Sequence, residues 1–215
     1  MQKSENYTKF YIVRHGQTEA NEQEIVSGHF DSPLTPVGEK QAKERAETLK
    51  HIHFDAIFSS DLVRAKRTAE VIAADRKLAV NTARLIRERC FGDWEGRPTK
   101  EVMEESRHMI EWRKTLTEEG KRASKMNYGY ESDDDIAWRL MTFLREVAVT
   151  YLGQTICVVV HGSIMRAMLM HLGFANYDEL PAGSIENTGY CMIESDGVDF
   201  FIRETVGVNK REIEN

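Results

Sequence analysis

Two short apolar segments each end in a histidine, and this arrangement limits how the chain can fold. Residues 10–13 (FYIV) run directly into Arg14 and His15. Residues 156–160 (ICVVV) run in the same way into His161. Both segments are typical of buried β-strands, and open α/β sheets place their functional groups at the carboxyl ends of parallel strands. We therefore expect the two imidazoles at one edge of a sheet, where they can share a pocket.

A glycine follows each of these histidines, at Gly16 and at Gly162. Glycine permits a sharp change of chain direction and lets a ligand approach the backbone closely. The segments that follow can begin helices, and the N-termini of helices favour anions. An anionic ligand is therefore the first candidate for the shared pocket.

Strand-like and helix-like segments alternate along the chain. Thr35 and Pro36 are suited to the N-cap and the first turn of one helix, and Gly153 is suited to end a later one. The alternation predicts an α/β fold that begins with a βαβαβ arrangement. We expect strands at residues 10–14, 56–59, 77–82 and 156–161, helices at 36–51, 61–74, 136–151 and 163–172, and a hairpin of 190–194 with 200–205.

The length of 215 residues suits one domain with a substantial core. We expect a single domain over residues 1–215 that carries a helical insertion at about residues 100–130. We expect residues 206–215 to form a frayed tail.

Charge and cysteine content exclude several classes of partner. The formal net charge of -6 gives no general attraction to nucleic acid or acidic membranes. Cys90, Cys157 and Cys191 lack a CxxC spacing, which argues against a disulfide framework and a zinc site.

The sequence contains no Walker or dinucleotide-binding motif. Residues 1–9 lack the apolar core of a signal peptide, and the longest apolar runs are too short to cross a bilayer. We expect a cytoplasmic protein with no metal or other cofactor and no nucleic-acid or membrane partner.

Further short motifs follow the first histidine in a fixed order. They are RHG at residues 14–16, DSPLT at 31–35, SSDLVRA at 59–65, Glu88 ahead of FGDWEG at 91–96, and HG at 161–162. In this order and spacing the chain resembles the histidine phosphatase superfamily, which has the phosphoglycerate mutase-like fold. The resemblance extends from residue 10 to about residue 187. It implies a three-layer α/β/α sandwich with a mostly parallel central sheet and a helical insertion over the active site.

The resemblance also implies a role for each matching residue. Arg14 and His15 match the RHG motif, in which the histidine is phosphorylated. Arg64 matches the second phosphate-binding arginine, Glu88 the proton donor, and His161 the second histidine of the pocket. Two further phosphate contacts are expected, from Asn21 and from Gly162.

These residue types suit the chemistry of a phosphate monoester. Its negative charge repels a nucleophile until cations offset that charge, and the planar forks of Arg14 and Arg64 can each bind two oxygens. A neutral His15 can attack phosphorus while its other ring nitrogen donates to a backbone carbonyl. A protonated Glu88 can protonate the leaving oxygen and afterwards activate water. We therefore expect a metal-independent phosphatase that acts on small phosphorylated metabolites.

Other interpretations stay open on the sequence alone. Arg64 can be an exposed helix residue like Lys66 and Arg67, and Glu88 can form a surface salt bridge. The family contains mutases as well as phosphatases, and a phosphoglycerate mutase that depends on 2,3-bisphosphoglycerate is the nearest alternative. Such mutases typically have a tryptophan where this chain has Ala20, which favours hydrolysis. A module that binds phosphorylated ligands without catalysis is the third possibility, and a homodimer stays open as the oligomeric state.

Overall fold

Six β-strands form one mixed sheet in the computed structural model, which describes residues 7–212. They are β1 (Thr8–Arg14), β2 (Ala56–Ser60), β3 (Val80–Ala83), β4 (Thr155–Val160), β5 (Ile185–Ser195) and β6 (Phe200–Val208). Their order across the sheet is β3-β2-β4-β1-β5-β6. The first four strands in this order are parallel, whereas β5 and β6 pair antiparallel at one side. The sheet is therefore mostly parallel, as the resemblance predicted.

The register of β1 against β4 places the two histidines next to each other. Arg14 pairs with Val160, the last residue of β4. The N–H of His15 donates to the carbonyl oxygen of Val160 at 3.0 Å. His15 and His161 therefore leave the sheet at the same level of its carboxyl edge, as expected from the sequence.

Helices cover both faces of the sheet, so the protein is a three-layer sandwich. Alternation along β1 directs Phe10 and Ile12 to one core and Val13 to the other. The first core is covered by α7 and α8, and the second is covered by α2 and α3. Within residues 7–212 the α-helices are α1 (Glu19–Glu22), α2 (Pro36–Thr48), α3 (Val63–Ala73), α4 (Thr99–Glu105), α5 (Arg107–Lys114), α6 (Glu118–Ala123), α7 (Asp133–Thr150) and α8 (Gly162–His171).

The capping prediction for α2 is confirmed, but α3 begins two residues later than expected. Thr35 accepts a hydrogen bond from the N–H of Gly38 through its side chain. Helix α3 begins at Val63 instead of residue 61, because Leu62 is extended. The N–H of Val63 donates to the carboxylate of Asp31 at 2.8 Å, so a residue distant in the sequence caps this helix.

The prediction of a frayed tail from residue 206 is wrong for the residues described here. β6 continues to Val208, and the N–H of Asn209 donates to Ser184 O at 2.8 Å. The N–H of Arg211 donates to Glu179 O at 2.8 Å. These backbone hydrogen bonds hold the segment against the loop that precedes β5. Residues 213–215 of the expected tail, like residues 1–6, lie outside the described residues.

Three short helices, α4 to α6, occupy the segment between the FGDWEG motif and α7. They pack through a small apolar cluster in which Val102 and Met126 surround the buried Trp94. No helix within residues 7–212 is long and apolar enough to span a bilayer.

Close backbone contact joins the start of α2 to the loop that follows His15. A Cβ on Gly38 would lie 2.0 Å from the carbonyl oxygen of Gln17. A Cβ on Gly16 would lie 2.5 Å from the carbonyl oxygen of Gly38. Because both obstacles are backbone atoms, a side chain at either position forces the helix and the loop apart.

We therefore expect Gly38→Ala to lower the free energy of unfolding by about 1–3 kcal/mol, the usual cost of overpacking, and to weaken the phosphate binding that the resemblance implies for the displaced loop. Urea unfolding measures the first effect and inhibition by orthovanadate measures the second. Gly120→Ala is the control, because a Cβ there meets only side-chain atoms of Leu116 and Thr117. Equal stability of the Gly38→Ala and wild-type proteins would contradict the close contact.

Candidate active site

His15 is buried at the carboxyl end of β1, with one ring nitrogen bound to the backbone. Its side chain is 4% exposed, and Nδ1 lies 2.7 Å from the carbonyl oxygen of Gly16. Because a carbonyl oxygen can only accept, Nδ1 carries the proton of the neutral ring. The lone pair is therefore on Nε2, which is the nitrogen available to attack an electrophile.

His161 and Arg64 form a buried pair beside this imidazole. The rings of His15 and His161 are 5.1 Å apart between centroids. Nε of Arg64 donates to Nδ1 of His161 at 3.2 Å, so a neutral His161 carries its proton on Nε2. Arg64 is 1% exposed and also donates to the carbonyl oxygens of Gly28 at 2.6 Å and Phe30 at 3.1 Å. The interpretation of Arg64 as an exposed helix residue is wrong.

Two buried N–H donors at this place have no hydrogen-bond partner among the described residues. They are Nε2 of His161 and Nε of Arg14. A Cβ on Gly162 would lie 3.3 Å from Nε of Arg14, so the glycine lets the guanidinium lie close to the start of α8. The other end of that guanidinium donates to Ile185 O. Unpaired buried donors are costly, and an acceptor-rich anion would satisfy both.

The surroundings of both imidazoles favour their neutral forms. Burial holds the pKa of His15 well below its usual range, and the charges of Arg64 and Arg14 lower it further. Burial, together with Arg64, His15 and Arg14, does the same for His161. At neutral pH the ring of His15 therefore keeps the free lone pair that a nucleophile needs.

Glu88 lies against the N-terminus of α8. Its Oε1 accepts from the N–H of Arg89 at 2.7 Å and of Ile164 at 3.1 Å. Its Oε2 accepts from the N–H of Ser163 at 3.0 Å. The side chain is 8% exposed, so the alternative of a surface salt bridge is wrong. The sequence suggested that this helix N-terminus could bind the anion, but Glu88 occupies two of its N–H groups.

Asn21 and Gly162 were also predicted to contact phosphate. Oδ1 of Asn21 accepts from Thr18 N at 3.2 Å and from Nδ2 of Asn187 at 3.4 Å. Asn187 also donates to His15 O at 3.1 Å, so Asn21 is tied to the loop of the nucleophile. The acceptor oxygen of Asn21 is thus occupied, and its amide N–H groups are those suited to an anion. Their contact with phosphate, like that of Gly162, stays a prediction.

Residues that were not predicted as site residues from the sequence also support this site. Thr68 on α3 accepts from the N–H of Gly16 at 3.1 Å and donates to Arg64 O at 2.8 Å, which joins the loop after His15 to the helix that carries Arg64. Asp31 caps α3 and lies 3.5 Å from Nη1 of Arg64. Asp31 belongs to the DSPLT motif, so the sequence indicated that it lies near the site. No motif named from the sequence includes Asn187.

A buried carboxylate attaches the insertion to the body of the protein. Asp133 accepts from Arg89, from Arg113 on α5 at 2.6 Å and from the Tyr177 hydroxyl at 2.5 Å. Burial disfavours ionisation of this carboxyl, yet Arg89, Tyr177 and Arg113 outweigh it and hold its pKa below the usual range. The helix α5 is thereby held next to the backbone that carries Glu88.

Comparison with known proteins places this chain in one family. The profile of the histidine phosphatase superfamily (branch 1) matches residues 10–206. The uncharacterized phosphatase PhoE of Bacillus subtilis is 34% identical over 166 residues, 77% of each chain. The 2,3-bisphosphoglycerate-dependent phosphoglycerate mutase of Cytophaga hutchinsonii is 34% identical over 169 residues, 75% of each chain.

The fold agrees with this similarity. The solved structure of phosphoglycerate mutase from Bacillus anthracis str. Sterne has a TM-score of 0.82 and 25% identity, and the match covers 94% of each chain. The chain therefore belongs to the histidine phosphatase superfamily, and the resemblance stated from its motifs is confirmed. The relatives include both phosphatases and mutases, so family membership leaves the specific reaction open.

The lowered pKa values of His15 and His161 can be measured directly. In the free protein we expect both rings to stay neutral as the pH falls through about 6.5, where an unperturbed histidine gains its proton. Bound inorganic phosphate should raise both pKa values, because its negative charge favours the imidazolium. NMR titration of ring-labelled histidine checks this, with His15→Asn and His161→Asn for assignment and free histidine as reference. A midpoint at or above 6.5 for either ring in the free protein would contradict the interpretation.

Proposed function

We propose that this protein is a phosphomonoester hydrolase that forms a phosphohistidine at His15. The observation that carries the proposal is the pair of unpartnered buried donors, Arg14 Nε and His161 Nε2, beside the free Nε2 of His15. Arg64, which donates to Nδ1 of His161, adds a second guanidinium to the same pocket. A phosphoryl group supplies the acceptors that these donors lack and the electrophile that His15 requires.

The first step transfers the phosphoryl group to the histidine. Nε2 of His15 forms a bond to phosphorus while the bond from phosphorus to the ester oxygen breaks. The leaving oxygen takes the proton of Glu88, and Nδ1 of His15 keeps its hydrogen bond to the Gly16 carbonyl. Arg14, Arg64 and His161 bind the oxygens of the group in transfer.

The carboxyl of Glu88 can hold this proton and keep its backbone contacts. Oε1 accepts two N–H groups and Oε2 accepts one, so a lone pair of Oε2 is left for the proton. In the second step the ionised Glu88 takes a proton from water as that water attacks phosphorus. The bond from phosphorus to His15 breaks, inorganic phosphate leaves, and both groups return to their starting states.

The reaction needs no metal in this proposal, because cationic side chains carry the electrostatic role. Within residues 7–212 no group of three or more His, Cys, Asp or Glu side chains is arranged to hold a metal ion. Arg14 and Arg64 retain their charge at any physiological pH. Activity in the presence of EDTA tests this part.

We infer that the leaving group lies toward the insertion, which acts as a lid. A groove of about 860 Å³ lies between α1 and helices α4 and α5; Asn21 is the one predicted site residue that lines it, so the groove lies beside the pocket of His15 and does not include it. It is large enough for a small phosphorylated metabolite, the class that we propose as substrate. A screen of sugar phosphates, phosphorylated acids, nucleotides and phosphopeptides would identify the preferred member.

A phosphoglycerate mutase is the second candidate, favoured by the similarity to named mutases. The two reactions differ in whether water or a retained hydroxyl acid captures the phosphohistidine. Assay of 3-phosphoglycerate with and without 2,3-bisphosphoglycerate separates them. A hydrolase releases inorganic phosphate without exchange of isomers, whereas exchange that is stimulated by the bisphosphate and exceeds phosphate release would assign a mutase.

The covalent step predicts a phosphorylated His15. Rapid quench with labelled p-nitrophenyl phosphate should trap a phosphoryl group that is stable in alkali and lost in acid, and peptide mapping should place it on His15. His15→Ala should lower turnover by at least about 10³-fold, as removal of a nucleophile does. His53→Ala, at a side chain that is 89% exposed, is the control and should remain active. Label on another residue, or full turnover by His15→Ala, would refute the mechanism.

The proton donor predicts a dependence on the leaving group. Glu88→Gln cannot supply a proton, so kcat/KM for alkyl phosphates should fall by about 10²-fold or more. For p-nitrophenyl phosphate, whose leaving group needs no proton, the loss should be below about tenfold. Steady-state kinetics with both substrates measures the ratio. Equal losses would show that Glu88 has another role.

A further inference from the structure

The side chain of Glu95 accepts hydrogen bonds from backbone N–H groups of two separate loops. Its Oε1 accepts from His29 N and from Phe91 N, both at 2.9 Å. Its Oε2 accepts from Phe30 N at 3.0 Å. Hydrogen bonds to an ionised acceptor are roughly twice as strong as those between neutral groups. One carboxylate therefore holds these two loops together.

The first of these loops also holds Arg64. The carbonyl oxygens of Gly28 and Phe30 accept from its guanidinium at 2.6 and 3.1 Å. The peptide group between Gly28 and His29 is thus bound on both sides, with its C=O on Arg64 and its N–H on Glu95. Because a peptide group is planar and rigid, movement of one partner displaces the other.

The fit between this peptide group and the carboxylate is tight. Gly28 has φ of +54°, and a Cβ there would lie 2.2 Å from Oε1 of Glu95. Nε2 of His29 also donates to Glu88 O at 2.9 Å, so the same loop contacts the backbone of the proton donor. The loop that Glu95 holds therefore touches both Arg64 and Glu88.

The charge of Glu95 also acts on Arg64 across the intervening peptide group. Burial lowers the pKa of Arg64, while Glu88, Asp31 and Glu95 raise it. Glu95 contacts the guanidinium only through the loop and forms no direct ion pair with it, whereas the carboxylate of Asp31 lies 3.5 Å from Nη1.

We propose that Glu95 is a positioning residue that orients Arg64 toward the phosphoryl group through the Gly28–His29 peptide. The proposal rests on the phosphatase function given above, since it assumes that Arg64 binds the phosphoryl group. Glu95 itself acts through the loop and makes no contact with substrate in this proposal.

The first test is Glu95→Gln, which keeps the shape of the side chain but places an amide N–H₂ against one of the backbone donors. We expect the inhibition constant of orthovanadate and the KM for p-nitrophenyl phosphate to rise by about tenfold or more. Glu95→Asp keeps the charge but withdraws the carboxylate by one methylene, and the same rise is expected. Having both variants keeps the test usable if one fails to fold, which circular dichroism would show.

A double-mutant cycle distinguishes positioning from general loosening of the fold. In an Arg64→Met background, the substitution at Glu95 should leave the orthovanadate inhibition constant unchanged, because the group it orients is absent. Glu105→Gln is the matched control, since it makes the same chemical change in an exposed ion pair with Arg97. It should leave inhibition at the wild-type value.

The outcomes separate this proposal from the proposed function. If the wild-type protein hydrolyses no phosphomonoester and forms no phosphohistidine, the function is wrong. If the wild-type protein is active but folded Glu95→Gln and Glu95→Asp keep the wild-type inhibition constant, the positioning role is wrong. The same conclusion follows if the effects of the Glu95 and Arg64 substitutions are additive.

Discussion

The parallel pairing of β1 with β4 is the constraint on which the site depends. Arg14 opposite Val160 sets both histidines one residue beyond the paired strands, and their rings lie 5.1 Å apart. A slip of one residue would turn every side chain of a strand to the opposite face. Phe10 and Ile12 would then leave the core beneath α7 and α8. Burial of the core therefore also maintains the register that brings the imidazoles together.

The second constraint is the charge of the pocket. Main-chain carbonyls satisfy much of the hydrogen bonding of Arg14 and Arg64: Ile185 O for the first, Gly28 O and Phe30 O for the second. Carbonyl oxygens accept these hydrogen bonds without cancelling the charge, whereas the carboxylate of Asp31, 3.5 Å from Nη1 of Arg64, offsets only part of the charge of that guanidinium. The pocket can thus attract a dianion although the chain has a net charge of -6. The same cations, together with burial, keep His15 and His161 neutral.

Much of the fold followed from local patterns in the sequence. The apolar runs that become β1 and β4, and the Thr35 cap of α2, are read from neighbouring residues alone. The start of α3 was misplaced, because Asp31 caps it from 32 residues away. The end of β6 was also misplaced, since backbone hydrogen bonds to Ser184 and Glu179 hold the segment that follows it. Both errors arose where a distant partner supplied the hydrogen bond.

The sequence by itself determined which residue types reach the carboxyl edge of the sheet, because strand alternation and helix caps depend on neighbours within a few residues. Tertiary structure decided what each of them contacts. The carboxylate of Glu88 lies on the N-terminus of α8, and that of Glu95 joins two loops. A glutamate has no local preference that reveals such a partner, since its hydrogen bonds form only after the chain has brought distant backbone groups within about 3 Å of it.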